Sequence, residues 1–304
     1  MGPYLEDRVG NKCSRSGPIS RRDFRPGVSL SIVGLGGLTL VGMSQERADR
    51  LVADSVGCGV DLFDVAPSYG DGEAEEMLGR ALEPYRNRIF LSCKTSERSA
   101  TCARRELEQS LRRLRTDHID LYQFHAVNRA EDAGSICAPG GAAEAFLLAR
   151  EQGLVRFLGF SSHSVPVALT MLDRLSLDAV LFPVNYICYA RGNFGPQVME
   201  KAQARGVARV ALKVLAQTAW RTGEIRTFPN CWYRPIEDPG LALLALRFSL
   251  SEDVCAVLPP GDERLYRMTL ELAAGYSPLT AAERSRLLDG ARGLKPIMTA
   301  KKRY

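Results

Sequence analysis

Four polar residues, Asp64, Tyr69, Lys94 and His125, stand at or just beyond the ends of successive strand-like runs in the first half of this 304-residue chain. By type they supply a phenol as proton donor, an ammonium to favour its ionised form, a carboxylate to keep that ammonium charged, and an imidazole beside them. A phenol titrates near pH ~10, too weak an acid to protonate an alkoxide efficiently at neutrality. A cation close by favours the phenolate by ~1–3 pKa units. Lys94 can be that cation, and Asp64 opposes the loss of charge that burial would impose on a lysine. His125 can donate to the substrate oxygen and fix its orientation. The chemistry indicated is delivery of a proton to a carbonyl oxygen. Singly, each residue has an ordinary explanation as a helix cap, a turn aromatic, a surface cation or a satisfied core imidazole. The four at consecutive strand ends make the weightier case.

Residues some thirty positions apart meet only if their strands converge on one mouth. Eight short runs, mostly apolar and rich in β-branched or aromatic residues, read as strands: 31–35, 60–63, 88–92, 119–124, 155–160, 179–184, 208–212 and 254–258. Continuous apolarity, rather than strict alternation, is expected of parallel strands covered on both faces. Amphipathic stretches over 44–56, 103–114, 142–152, 165–175, 196–205, 240–251 and 263–274 read as helices between them, the first opening with Ser44 as N-cap. Strands alternating with crossover helices close most simply into an α/β fold, a (β/α)8 TIM barrel forming one domain over 22–304, with residues 1–21 as a flexible extension. A doubly wound open sheet ranks second, because Gly34-Leu35-Gly36-Gly37 lacks the rest of a dinucleotide fingerprint.

Composition bounds the function classes. Hydrophobic residues at 45% and charged residues at 25% suit an ordinary globular protein. The net charge of +5 comes from scattered arginines, and no basic run is interleaved with aromatics, so neither a nucleic-acid groove nor a membrane partner is expected. No apolar run reaches the ~18 residues of a membrane span. The eight cysteines form no C-x-x-C pair and several lie inside apolar strands, which reads as free thiols in a reducing, cytoplasmic setting. Ser20-Arg21-Arg22-Asp23-Phe24 resembles a twin-arginine export signal. That reading is rejected because Pro26-Gly27 intervenes, no cleavage-like site follows, and the supposed apolar core is needed as the first strand. Oligomeric state leaves no readable trace.

Two long linkers, 128–141 and 216–239, read as loops over the mouth, where binding loops gather. In the second, Trp220, Trp232 and Tyr233 are as well suited to packing as to facing a substrate. The segment 279–304 reads as an extra helix at 281–288 followed by a basic tail, Lys301-Lys302-Arg303.

The stretches GVDLFDVAPSYGDGEAEEMLGRAL (59–82), CKT (93–95), ELEQSLRRLRTDHIDLYQFHAV (106–127) and GLVRFLGFSSHS (153–164) resemble, in order and spacing, signatures of the aldo-keto reductases, over about residues 22–275. The resemblance implies a barrel that binds a nicotinamide dinucleotide, usually NADPH with NADH possible, and reduces the carbonyl of an aldehyde, ketone or sugar-like small molecule. It implies Tyr69 as the acid, Lys94 as its pKa-lowering partner, Asp64 as support for the lysine and His125 as substrate orienter. Ser161, Ser162 and Asn185 stand where the family grips the carboxamide. Leu212, followed by Lys213, stands where an aromatic usually stacks on the nicotinamide. The loop Pro259-Pro260-Gly261-Asp262-Glu263-Arg264 is shorter and more acidic than the family's phosphate loop. There, Arg264 and Arg267 could bind a 2′-phosphate that Asp262 and Glu263 would oppose. His163 reads as a loop residue near the cofactor without a chemical role. Two alternatives stay open: a cofactor-binding sensor or regulatory subunit with little turnover, and a Schiff-base lyase using Lys94.

Overall fold

Strands buried on both faces can be apolar throughout, and the strand-like runs assemble on that basis into one eight-stranded parallel sheet. The structure, a computed structural model, describes residues 17–300; the basic tail and most of the N-terminal extension lie outside the described residues. An antiparallel hairpin comes first, β1 (Arg21–Arg25) with β2 (Val28–Ser31). The sheet then takes, in order, β3 (Leu35–Gly36), β4 (Leu62–Asp64), β5 (Phe90–Thr95), β6 (Ile119–Phe124), β7 (Val155–Ser161), β8 (Ala179–Pro183) and β9 (Ala208–Leu212). A second hairpin, β10 (Ala216–Ala219) with β11 (Tyr233–Pro235), precedes β12 (Ala256–Val257), which pairs with β9. A parallel bridge between Val33 and Val257 joins the two edges, with Gly34 N donating to Val257 O at 3.0 Å. The expected (β/α)8 barrel is the fold observed.

The helices are α1 (Gln45–Gly57), α2 (Glu73–Leu82), α3 (Ala100–Arg113), α4 (Ala130–Cys137), α5 (Ala142–Glu151), α6 (Val165–Arg174), α7 (Tyr186–Gly192), α8 (Pro196–Ala204), α9 (Pro239–Leu250), α10 (Glu263–Ala273) and α11 (Ala281–Gly290). Ser44 caps α1 by accepting from Arg47 N, and the helix buries Ala48, Leu51, Val52 and Ser55 on one face. In α11 the Thr280 and Glu283 side chains form a capping box, and Leu287 packs inward.

Three features depart from the sequence expectation. The first barrel strand is displaced from 31–35, because Ser31 ends the hairpin and Gly34 lets the backbone press against Leu62 and Leu258, where a Cβ would meet Leu62 Cγ at 2.7 Å. The stretch 128–141 is not all loop: α4 lies inside it, buried through Ala133 and Ile136. Its small residues give too weak an apolar stripe to read. Cys58 is disulfide-bonded, whereas Cys93, Cys102, Cys137, Cys188, Cys231 and Cys255 are free thiols. Cys58 sits at the C-cap of α1 beneath the N-terminal segment, with Ile19 N donating to its carbonyl at 3.0 Å. Among the described residues no helix is long and apolar enough to cross a membrane.

Two apolar layers hold the barrel: one between sheet and helices, the other inside the sheet, where Leu62, Phe90, Leu121, Leu181 and Val210 meet Phe24 and Leu30 of the hairpin. The hairpin is thus the barrel's floor. The Phe24 ring lies 5.1 Å from that of Phe90 and 5.3 Å from that of Phe157. Arg22 fastens the hairpin by donating to Leu250 O (2.6 Å), Val254 O (2.8 Å) and Tyr276 Oη (2.9 Å). The arginine pair read above as a possible export signal is therefore part of this floor. Phe24→Ala is expected to destabilise the protein by about 3–5 kcal/mol, seen as a lower urea midpoint with unchanged slope. An unshifted midpoint would show that the hairpin does not plug the barrel.

Candidate active site

Parallel register decides which side chains meet. Asp64, the last residue of β4, lies opposite Ser92, and Lys94 opposite Gln123. Because strand side chains alternate, Ser92 and Lys94 enter the barrel while Cys93 and Thr95 turn outward to Glu75 and Glu106. Lys94 bonds directly to Asp64 Oδ2 and also donates to Val65 O at 3.0 Å. Asp64 Oδ1 accepts from Ser92 Oγ at 2.8 Å and from Gln123 Nε2 at 3.2 Å, and Gln123 Nε2 lies 2.6 Å from Ser92 Oγ. All four side chains are buried. Burial alone would lower the lysine's pKa. The Asp64 carboxylate, joined by Tyr69 and Cys93, opposes it, and together they hold Lys94 above its usual value.

Tyr69 lies beyond β4 at the start of a single 3-10 turn over 70–72. The Lys94 ammonium is 5.2 Å from the centre of its half-buried ring, and the His125 ring meets it edge-on at 5.8 Å. Burial pushes the Tyr69 phenol above its usual pKa, and the charge of Lys94 opposes that rise without reversing it. The sequence reading expected the lysine to bring the phenol down. The difference arises because desolvation of the phenolate is the larger effect here. His125 follows β6 directly, its backbone N donating to Thr95 O at 2.8 Å and its O accepting from Arg98 Nη2 at 2.7 Å. Burial, reinforced by Lys94, lowers its pKa to about 3, so the ring is neutral. Its Nδ1 lies 3.4 Å from Ser68 Oγ.

The residues aligned with a cofactor fall into two groups. Leu212, Lys213 and Gly261 line a narrow cleft of about 80 Å³, together with Asp64, Tyr69, Trp232 and Tyr233. The others are engaged within the chain. Ser161 Oγ accepts from Ala126 N at 2.8 Å, and Ser162 Oγ donates to Val127 O at 2.7 Å. Asn185 Oδ1 caps α7 through Ile187 N and Cys188 N, while its Nδ2 donates to Lys213 O at 3.0 Å and Ala216 O at 2.7 Å. Arg264 forks onto Asp262 at 3.0 and 2.9 Å and donates to Thr227 O at 2.9 Å; Arg267 pairs with Glu263 and Asp54.

Three residues gain significance only from the structure. Ser92 and Gln123 hold the Asp64 carboxylate, and the readable signal was a polar side chain at an inward position of an apolar strand. His163 Nε2 is buried without a hydrogen-bond partner, and burial, with the charge of Lys213, lowers this imidazole's pKa to about 3. The loop aromatics divide: Trp220 packs against Phe228, Cys231 and Leu265 and donates to Cys231 O at 2.8 Å, whereas Trp232 and Tyr233 form the cleft wall.

His125 and His163 titrate near 3 in the folded chain, against ~6.5 when unfolded. Between these values the unfolded chain binds more protons. The stability associated with neutral imidazoles is therefore complete above pH ~6.5 and falls as pH drops toward 3, by up to about 1.4 kcal/mol per pH unit for each group. Urea midpoints taken from pH 7.5 downward should begin to decline near pH ~6.5, less steeply in His125→Gln. A flat profile down to pH ~5 would mean that the rings are solvated.

A sequence model of the aldo/keto reductase family matches residues 32–280. Aldo-keto reductase YhdN of Bacillus subtilis is 33% identical over 176 residues, 52% of this chain and 51% of that protein. Methylglyoxal reductase YeaE of Escherichia coli is 38% identical over 106 residues, 34% of this chain and 37% of that protein. The matched part of this chain thus spans about half the length of YhdN and less of YeaE. In fold, an aldo-keto reductase of Bacillus halodurans in its holo form superposes with a TM-score of 0.72 at 24% identity, covering 94% of this chain and all of that one. With the family's sequence pattern running through nearly all of the barrel that carries this mouth, the chain belongs to the aldo/keto reductase family.

Proposed function

We propose that the protein reduces the carbonyl group of a small molecule to an alcohol at the expense of a nicotinamide dinucleotide, with Tyr69 as the proton donor. The observation that carries this reading is the buried Lys94–Asp64 pair with its ammonium 5.2 Å from the Tyr69 ring centre. An ammonium held charged in a dry site stabilises the phenolate that forms when Tyr69 releases its proton. His125, neutral near physiological pH, can donate from a ring nitrogen to the same substrate oxygen and so orient the carbonyl. Asp64, held by Ser92 and Gln123, prevents the lysine from losing its proton and acting as a nucleophile. This weighs against Schiff-base chemistry at Lys94.

The mouth suits the cofactor in part. The unpartnered His163 Nε2, close after β7, fits an amide group, and Leu212 offers apolar surface to a nicotinamide ring. Bound there, the reduced dinucleotide supplies the hydride. Ser162 and Asn185, with their hydrogen bonds spent on backbone, contribute by shaping the pocket. At the adenosine end Arg264 is the cation a 2′-phosphate would meet, and it already serves Asp262.

Tyr69→Phe should lower turnover of an aldehyde ~10²–10⁴-fold, while the dissociation constant for NADPH, read by nicotinamide fluorescence, stays within about twofold. Undiminished turnover would remove Tyr69 from the chemistry. Asp262→Asn keeps an N-cap for α10 but frees Arg264, so affinity for NADPH should rise relative to NADH in the same titration. An unchanged ratio would place the 2′-phosphate elsewhere.

A further inference from the structure

The proton-delivery groups leave one cation of the mouth unexplained. Lys213 follows β9 and lines the same cleft as Tyr69. Its ammonium lies 5.6 Å from the Trp232 ring centre and 5.4 Å from that of Tyr233. Among the described residues no carboxylate pairs with it; of the groups that feel its charge, Lys94, His125 and His163 are basic, and the one acidic group is the Cys231 thiol, whose pKa burial pushes up to about 11. Aromatic faces attract a cation but do not neutralise it. A half-buried ammonium without an anion is costly unless a ligand completes it.

The backbone adds a second observation. Lys213 adopts φ +62°, a left-handed conformation that a lysine enters only at a cost. Asn185 Nδ2 and Ala216 N hold it there, each donating to Lys213 O at 3.0 Å. Strain of this kind persists where the surroundings over-determine it, and here it accompanies a side chain in the cleft.

We infer that Lys213 is a specificity residue: its ammonium receives a carboxylate or phosphate carried by the carbonyl substrate, so the preferred substrates are anionic aldehydes and oxo acids. The inference rests on the reductase reading above and adds the substrate class to it. The cofactor's pyrophosphate offers the same chemistry. One feature favours the substrate: the walls around the ammonium, Trp232 and Tyr233, also wall the cleft beside Tyr69. Lys213 then acts apart from the cofactor group in which the sequence reading set it.

The test pairs 4-oxobutanoate with butanal, which differ by the carboxylate alone, as substrates of the wild type, Lys213→Met and Lys213→Arg, with NADPH. The wild type should favour 4-oxobutanoate by roughly tenfold or more in kcat/KM, chiefly through KM; the methionine variant should lose that preference and the arginine variant keep most of it. Succinate, titrated while tryptophan fluorescence is followed, should bind the wild type and not Lys213→Met, with Lys213→Gln read beside it should the first variant misfold. If both substrates suffer equally while NADPH affinity falls, Lys213 serves the cofactor and the inference is overturned. It is overturned equally if the wild type shows neither preference nor succinate binding. Should no carbonyl be reduced at all, the reductase reading fails, and the succinate titration alone then decides for or against an anion site at Lys213.

Discussion

A charged lysine buried at the mouth of a barrel needs its carboxylate, and the Lys94–Asp64 pair is the interaction from which the remaining chemistry follows. Neither partner is tolerable without the other: removing one side of a buried pair typically costs about 3–5 kcal/mol because a naked charge is left behind. The protein surrounds the pair accordingly. Val65 O takes a further ammonium proton, and Ser92 and Gln123 occupy the second carboxylate oxygen. The result is a fixed positive charge 5.2 Å from the centre of the Tyr69 ring, which the proposed release of the phenol's proton would find already in place.

The same low dielectric that strengthens this pair acts against ionisation of the phenol beside it. Burial raises the phenol of Tyr69, and it lowers the imidazoles of His125 and His163 to about 3. The site therefore carries one ammonium at Lys94, paired with Asp64, and another at Lys213, whose pKa burial lowers to about 8, alongside an uncharged phenol and neutral imidazoles. Such a field suits a reaction in which negative charge develops on an oxygen. It suits equally a ligand that brings negative charge with it.

Much of the architecture was legible because its cause is local. Apolar continuity in runs such as 179–184 and 254–258 marks doubly covered strands, and Ser44 marks a helix start by its side-chain oxygen. The misread stretches had causes lying elsewhere in the chain. Lys94 falls inside β5 rather than past its end because pairing with β6 extends that strand to Thr95. The helix over 130–137 is held by its packing and not by its own periodicity. Cys58 is disulfide-bonded where six other cysteines are free thiols, because pairing depends on what folding brings together and not on residue type.

For the site, residue type by itself suggested the proton chemistry proposed above: a tyrosine, a lysine, an aspartate and a histidine at successive strand ends supply a proton donor, a cation, its counter-ion and an imidazole. Their convergence is a property of the closed barrel, since only parallel register puts Asp64 beside Ser92 and Lys94 beside Gln123. Which polar groups remain available to a ligand was likewise a tertiary matter. Asn185 and Ser162 have the right chemistry in sequence, yet backbone groups brought near by folding consume it. His163 and Lys213 looked incidental in sequence, yet folding leaves one without a hydrogen-bond partner and the other without an anion. A hydrogen bond is counted between atoms in space, and the sequence records only which atoms are present.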